Sequence, residues 1–144
     1  MKTRKMTLEK FHKDYDGDHN LYIVWCNHHA LYVGISRVGI WNRWFASGSQ
    51  HMFIDGDRWI GLSLIGHAIS RNQPESLQWI IELRDYVTDN LLWIERDLII
   101  ELKPLYNSHH SQGLTDEKFD LKMRLDGFYI PGSPQEAPGR APGP

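Results

Sequence analysis

Glu95 is a carboxylate standing where helical periodicity asks for an apolar side chain. On a wheel of about 100° per residue, Leu91, Leu98 and Leu102 form one stripe, flanked by Leu92, Ile94 and Ile99, and Glu95 falls inside it. Arg96, Asp97, Glu101 and Lys103 lie off the stripe, where solvated charges belong. A carboxylate turned toward a core must be paired, protonated or bound to a cation. Glu95 therefore reads either as a buried carboxylate satisfied by an Arg or a Tyr hydroxyl or as an oxygen ligand for a metal. Trp93 and Ile100, on the opposite side of the wheel, suggest a second contact surface.

Two phenols form the next candidate. Side chains alternate along a strand, so Tyr22 shares a face with Val24 in residues 21–25, and Tyr32 shares one with Gly34 in residues 31–35. A hairpin centred near Asn27 sets Tyr22 directly across from Tyr32. Gly34, with no side chain, leaves room for a ligand to approach the sheet. The alternative is a pair of aromatics that only packs. The pairs His28-His29 and His109-His110 lack both helix-face spacing and a cysteine pair, and read as solvated loop residues rather than a zinc site.

The elements that must position these groups follow from the pattern. Two β-rich runs with a turn-compatible spacer read as a hairpin. Short helices are expected over residues 39–48 and 62–71, the second ended by Pro74. A third strand is expected over 77–83. Asp89 is the expected cap of a helix over 90–102 that Pro104 ends. The order is ββααβα, an α+β sandwich with a small, mostly antiparallel three-stranded sheet. Residues 1–19 read as a loosely ordered lead-in with one helical turn near Leu8 to Phe11, and residues 20–110 as the folded body. Residues 111–129 read as an extension with a weaker helix, and the Pro- and Gly-rich residues 130–144 as a disordered tail.

Composition sets the outer limits. The chain has 144 residues, which suits one domain, and 41% are apolar, enough for a core. No apolar run reaches the roughly 18 residues of a membrane span, and the basic, then acidic start is no secretory signal. Cys26 is the only cysteine, so no intrachain disulfide forms and no disulfide-linked partner is expected, in keeping with a reducing, cytoplasmic setting. The formal net charge of -2 excludes a bulk polycation, so any DNA contact must use a local basic patch or a metal.

Four short segments then acquire a common meaning. Asn20-Leu21-Tyr22 and Tyr32-Val33-Gly34-Ile35-Ser36 resemble the two strand motifs of the GIY-YIG nuclease superfamily, with Asn-Leu-Tyr where Gly-Ile-Tyr is usual. Arg43, in Ile40-Trp41-Asn42-Arg43-Trp44, matches the Arg of the family's following helix. Glu95 on a helix, with Asn107 twelve residues later beyond Pro104, is similar to the family's closing segment. The resemblance covers residues 20–108. It implies phosphodiester hydrolysis on DNA with one Mg²⁺ or Mn²⁺ held by Glu95. It further implies Tyr22 as general base or water-positioning group, its pKa lowered by nearby cations, and Tyr32 as a hydrogen-bonding assistant. Arg43 would neutralise phosphate charge, Gly34 would support the site, and Asn107 would fix the helix end against the sheet. Many family members carry a His one turn after the Arg. Ser47 occupies that position here, leaving His51 as the nearest candidate and His67 as another. DNA contacts are expected from Arg37, Arg43, Arg58 and Arg71, with Trp41 and Trp44 available to stack on bases or to fill the core. The altered first motif, the displaced His and the negative charge keep a second possibility open, a catalytically inactive GIY-YIG-like module that binds nucleic acid or protein.

Overall fold

The computed structural model describes residues 2–108 and 113–128. The His109-His110 pair and the Pro- and Gly-rich stretch over 130–144 lie outside the described residues. The architecture is α+β. Strands β2 (Leu21–Cys26) and β3 (His29–Ile35) form the expected hairpin. Its tight turn uses Asn27 at φ 54°, a conformation that Asn tolerates better than other residues with a side chain.

The sheet has four strands rather than three, all antiparallel, in the order β1 (Lys2–Thr7), β6 (Ile80–Asp85), β2, β3. β6 (Ile80–Asp85) supplies the expected later strand, three residues downstream of its anticipated start, because a 3₁₀ turn occupies Glu75–Gln78. The added strand is β1 (Lys2–Thr7), within the segment expected to be loosely ordered. Its Lys and Arg side chains are exposed and only Met6 is buried. Charge of this kind protects a sheet edge from pairing with another chain, and it also hides the strand from a hydrophobic-pattern reading. The lead-in continues as α1 (Leu8–Asp14), capped by Thr7 Oγ1, which accepts from Lys10 N at 3.1 Å, and it buries Leu8 and Phe11 completely.

Helix α2 (Ile40–Phe45) is shorter than expected, and a second hairpin follows, β4 (Met52–Asp55) and β5 (Arg58–Gly61). Its two-residue turn is Gly56-Asp57, with Gly56 at φ 64°, a positive φ that glycine adopts without steric cost. Helix α3 (Leu64–Arg71) starts at Ser63, whose Oγ accepts from Gly66 N at 3.2 Å. Helix α4 (Leu91–Leu102) ends at Lys103, which takes the left-handed conformation just before Pro104. Helix α5 (Asp116–Leu125) completes the order.

The sheet has two covered faces. Tyr22, Val24, Ile81 and Leu83 join the main core with residues of α1, α2 and α3, whereas Leu21, Ile23, Ala30 and Val33 pack with Leu91 and Ile99 of α4. Among the described residues no helix is long and apolar enough to cross a membrane.

Candidate active site

Tyr22 and Tyr32 share a sheet face but are not opposite each other. Tyr22 pairs with Gly34 and Val24 with Tyr32, because the turn is centred between Asn27 and His28 rather than on Asn27 and because unpaired Leu31 shifts the register by one more residue between Val24 and Trp25. The phenols are therefore diagonal neighbours, their rings stacked with centroids 6.0 Å apart. Gly34 leaves no opening for a ligand. The ring of Tyr22 fills the space, and a Cβ added at Gly34 would lie 2.4 Å from both Tyr22 Cζ and Oη.

Tyr22 is fully buried, and its hydroxyl lies 2.8 Å from His51 Nε2. His51, only 1% exposed, sits with its Nδ1 2.7 Å from Ser63 Oγ. Burial, and secondarily the Arg43 charge, push the His51 pKa down to about 3, so the ring is neutral at physiological pH. A neutral imidazole has one N–H, so His51 donates to one hydroxyl and accepts from the other. The position of His51 is fixed by backbone as well. Its carbonyl accepts from Leu62 N at 2.9 Å, and Gly66 comes so close that a Cβ there would lie 2.1 Å from the same oxygen. The β4–β5 hairpin thus returns a histidine to Tyr22 although it stands eight residues after Arg43, too far for the next turn of α2.

Glu95 lies on α4 one turn from Leu91 and one turn from Ile99, both buried, and is itself half-buried. Leu92, expected to flank that stripe, is exposed. α4 packs on the edge strand β3. From there the Glu95 carboxylate reaches both phenols electrostatically. Burial raises the pKa of Tyr32; Arg43 opposes the rise and Glu95 adds to it. Tyr22 is driven well above the usual tyrosine value by burial first, then by Tyr32 and Glu95, against the pull of Arg43. The expectation that cations lower the Tyr22 pKa is thus reversed in the protein alone, where desolvation outweighs the single guanidinium. Arg43 is half-buried, and one of its terminal nitrogens donates to the Ser49 carbonyl.

Asn107 reaches the same strand from the far side. Its side chain accepts from Val33 N at 2.9 Å and donates to Val33 O at 2.8 Å, while Tyr106 N donates to Leu31 O at 2.9 Å. The segment after Pro104 therefore extends the pairing of β3. The remaining arginines are dispersed in role. Arg37 and Arg58 are exposed, whereas Arg71 is committed to Asp126 Oδ1 at 2.8 Å and to the Leu125 carbonyl. His67 lines an open cleft with Arg71, Tyr106 and Asp126, apart from the phenols. Trp44 is fully buried against His51, with ring centroids 4.7 Å apart, and Trp41 donates to the His12 carbonyl at 3.0 Å. Both tryptophans are structural in this arrangement. Trp93 and Ile100 are exposed, and Arg96 lies 4.2 Å over the Trp93 ring.

Two polar groups escaped the sequence reading. Ser63 supports His51, and only the Ser that precedes an apolar helix hinted at it. Glu82 is buried in β6, accepting from Trp25 Nε1 at 3.0 Å and Arg84 Nε at 2.6 Å. Compared with known protein families, curated proteins and solved structures, the chain matches none.

Proposed function

We propose that this chain hydrolyses phosphodiester bonds in DNA as a GIY-YIG-type endonuclease. The observation that supports it is convergence: Glu95, Arg43 and His51, from three separate segments, all act on the paired phenols of Tyr22 and Tyr32. The oxygen donors of Glu95 and the phenols fit a hard divalent cation, Mg²⁺ or Mn²⁺, and Glu95 is the residue that would hold it. When bound, such a cation supplies polarisation of the scissile phosphate and lowers the pKa of a neighbouring phenol. Arg43 offsets phosphate charge. Tyr32, partly exposed, is the phenol that meets water and phosphate, while buried Tyr22, held on His51, orients it from beneath.

The complete burial of Tyr22 also favours a second possibility, a module that binds nucleic acid or protein without cutting, since a phenol with no exposed surface offers nothing for a substrate atom to touch. Plasmid nicking with Mg²⁺ and with Mn²⁺ separates the two. The wild type should nick, and Glu95→Ala and Tyr32→Phe should lose at least about a hundredfold in rate, in line with losing a group aimed at the reacting atoms. Wild-type nicking no faster than that of Glu95→Ala would overturn the nuclease assignment.

A further inference from the structure

We propose that His28, His29 and Glu117 form a second metal site, taking a borderline divalent cation such as Zn²⁺ and fastening the β2–β3 turn to α5. The two histidines were expected to be solvated loop residues without zinc-site spacing. The structure instead brings a carboxylate to them from 89 residues away. His28 Nε2 lies 3.3 Å and His29 Nε2 3.0 Å from the same oxygen, Glu117 Oε1. The three donor atoms all fall within 4.8 Å of one another. Around a tetrahedral Zn²⁺ with bonds of about 2.0–2.1 Å, ligand atoms stand about 3.3–3.4 Å apart. Both imidazole–carboxylate spacings are already close to that edge length, so rotations of side chains alone complete the site.

The ligand chemistry agrees. Two imidazoles and one carboxylate suit Zn²⁺, Co²⁺ or Ni²⁺ better than Mg²⁺, which prefers oxygen donors. Both halves are held before any ion arrives. His29 opens β3 in register with Cys26, and its side chain is only 13% exposed. Glu117 lies in the first turn of α5, capped by Thr115. One residue on, Lys118 Nζ donates to the carbonyls of Leu102 at 2.6 Å and Lys103 at 3.1 Å, tying α5 to the end of α4. His28 and Glu117 are largely exposed, which leaves an entry path and a fourth coordination position for water. Occupancy would add a cross-link to a helix that buries only Leu121.

The test uses the full untagged chain, stripped of metal with a chelator and titrated with Co²⁺, then Zn²⁺. One equivalent of Co²⁺ should bind with the intense visible absorption of a tetrahedral site, Zn²⁺ should displace it, and Tm should rise with free Zn²⁺. His28→Ala and Glu117→Gln alter exposed side chains, so these proteins should fold. Each should weaken Co²⁺ binding by at least about tenfold, since even outer-shell partners are worth about 10–100-fold in affinity. Glu95→Ala should leave Co²⁺ affinity unchanged, which separates this site from the one proposed for catalysis. No saturable Co²⁺ uptake, or wild-type affinity in His28→Ala and Glu117→Gln, would overturn the assignment.

Discussion

Replacing Gly34 by Ala should damage the candidate site through Tyr22 rather than through the backbone. Gly34 is an ordinary strand residue paired with Tyr22, and its backbone does not require glycine. Were the space empty, Gly→Ala would stabilise the protein by about 0.4–1 kcal/mol by restricting the unfolded chain. The added Cβ, however, would lie 2.4 Å from Tyr22 Cζ and Oη, well inside contact distance, and the ring is fully buried with no slack. Forcing atoms into a packed core costs about 1–3 kcal/mol. The net expectation is a loss of about 1–2 kcal/mol, or roughly 3–8 °C in Tm. The displaced hydroxyl should also leave His51 Nε2, now 2.8 Å away.

A double-mutant cycle isolates the cause. In a Tyr22→Leu background, where no phenol opposes the methyl group, Gly34→Ala should be neutral or stabilising by up to about 1 kcal/mol, giving a coupling of about 1–3 kcal/mol. Urea denaturation of the four proteins measures it, with m-values checked for constancy. If Gly34→Ala is as stable as wild type, or costs the same in both backgrounds, the steric argument is refuted.

Two other substitutions probe the supports of the site. His51 is held neutral with its folded pKa depressed to about 3. Stability is therefore full above the unfolded value near 6.5 and is lost as pH falls from there toward 3, as the unfolded chain takes up the proton first. At about 1.4 kcal/mol per pH unit, wild type should lose on the order of 2–3 kcal/mol from this residue between pH 7 and pH 4.5. His51→Gln should show a shallower decline in urea midpoint across that interval; parallel curves would contradict the assignment. Asn107→Ala removes both side-chain hydrogen bonds to Val33. It should cost about 1–3 kcal/mol and speed amide exchange at Val33, where an unchanged exchange rate would count against the clamp.

How much of the site was legible in the sequence depended on the range of the interaction. Glu95 was visible because helical periodicity is local: four residues from Leu91 and four from Ile99 is a statement about one helix, and α4 forms where the pattern puts it. Alternation likewise puts Tyr22 with Val24 and Tyr32 with Gly34 within their own strands, but which faces coincide is a matter of register. Register was not visible: the turn is centred between Asn27 and His28 rather than on Asn27, and the unpaired Leu31 adds a second one-residue shift, so that Tyr22 faces Gly34 and takes its space. Nor was β1, whose solvated Lys and Arg side chains carry no burial pattern and whose strand exists only because β6 offers it an edge.

The sequence by itself determined the helices, the central hairpin and the types of residue available for chemistry, because propensity, periodicity and turn signals act over a few neighbours. Only the tertiary structure decided which groups meet. His51 reaches Tyr22 through the β4–β5 hairpin and the close approach of Gly66 to its backbone, and Glu117 reaches His28 across 89 residues and meets His29 beside it. Burial, also a property of the whole fold, decided the protonation: it raises the Tyr22 pKa and lowers that of His51 against what the isolated side chains would do.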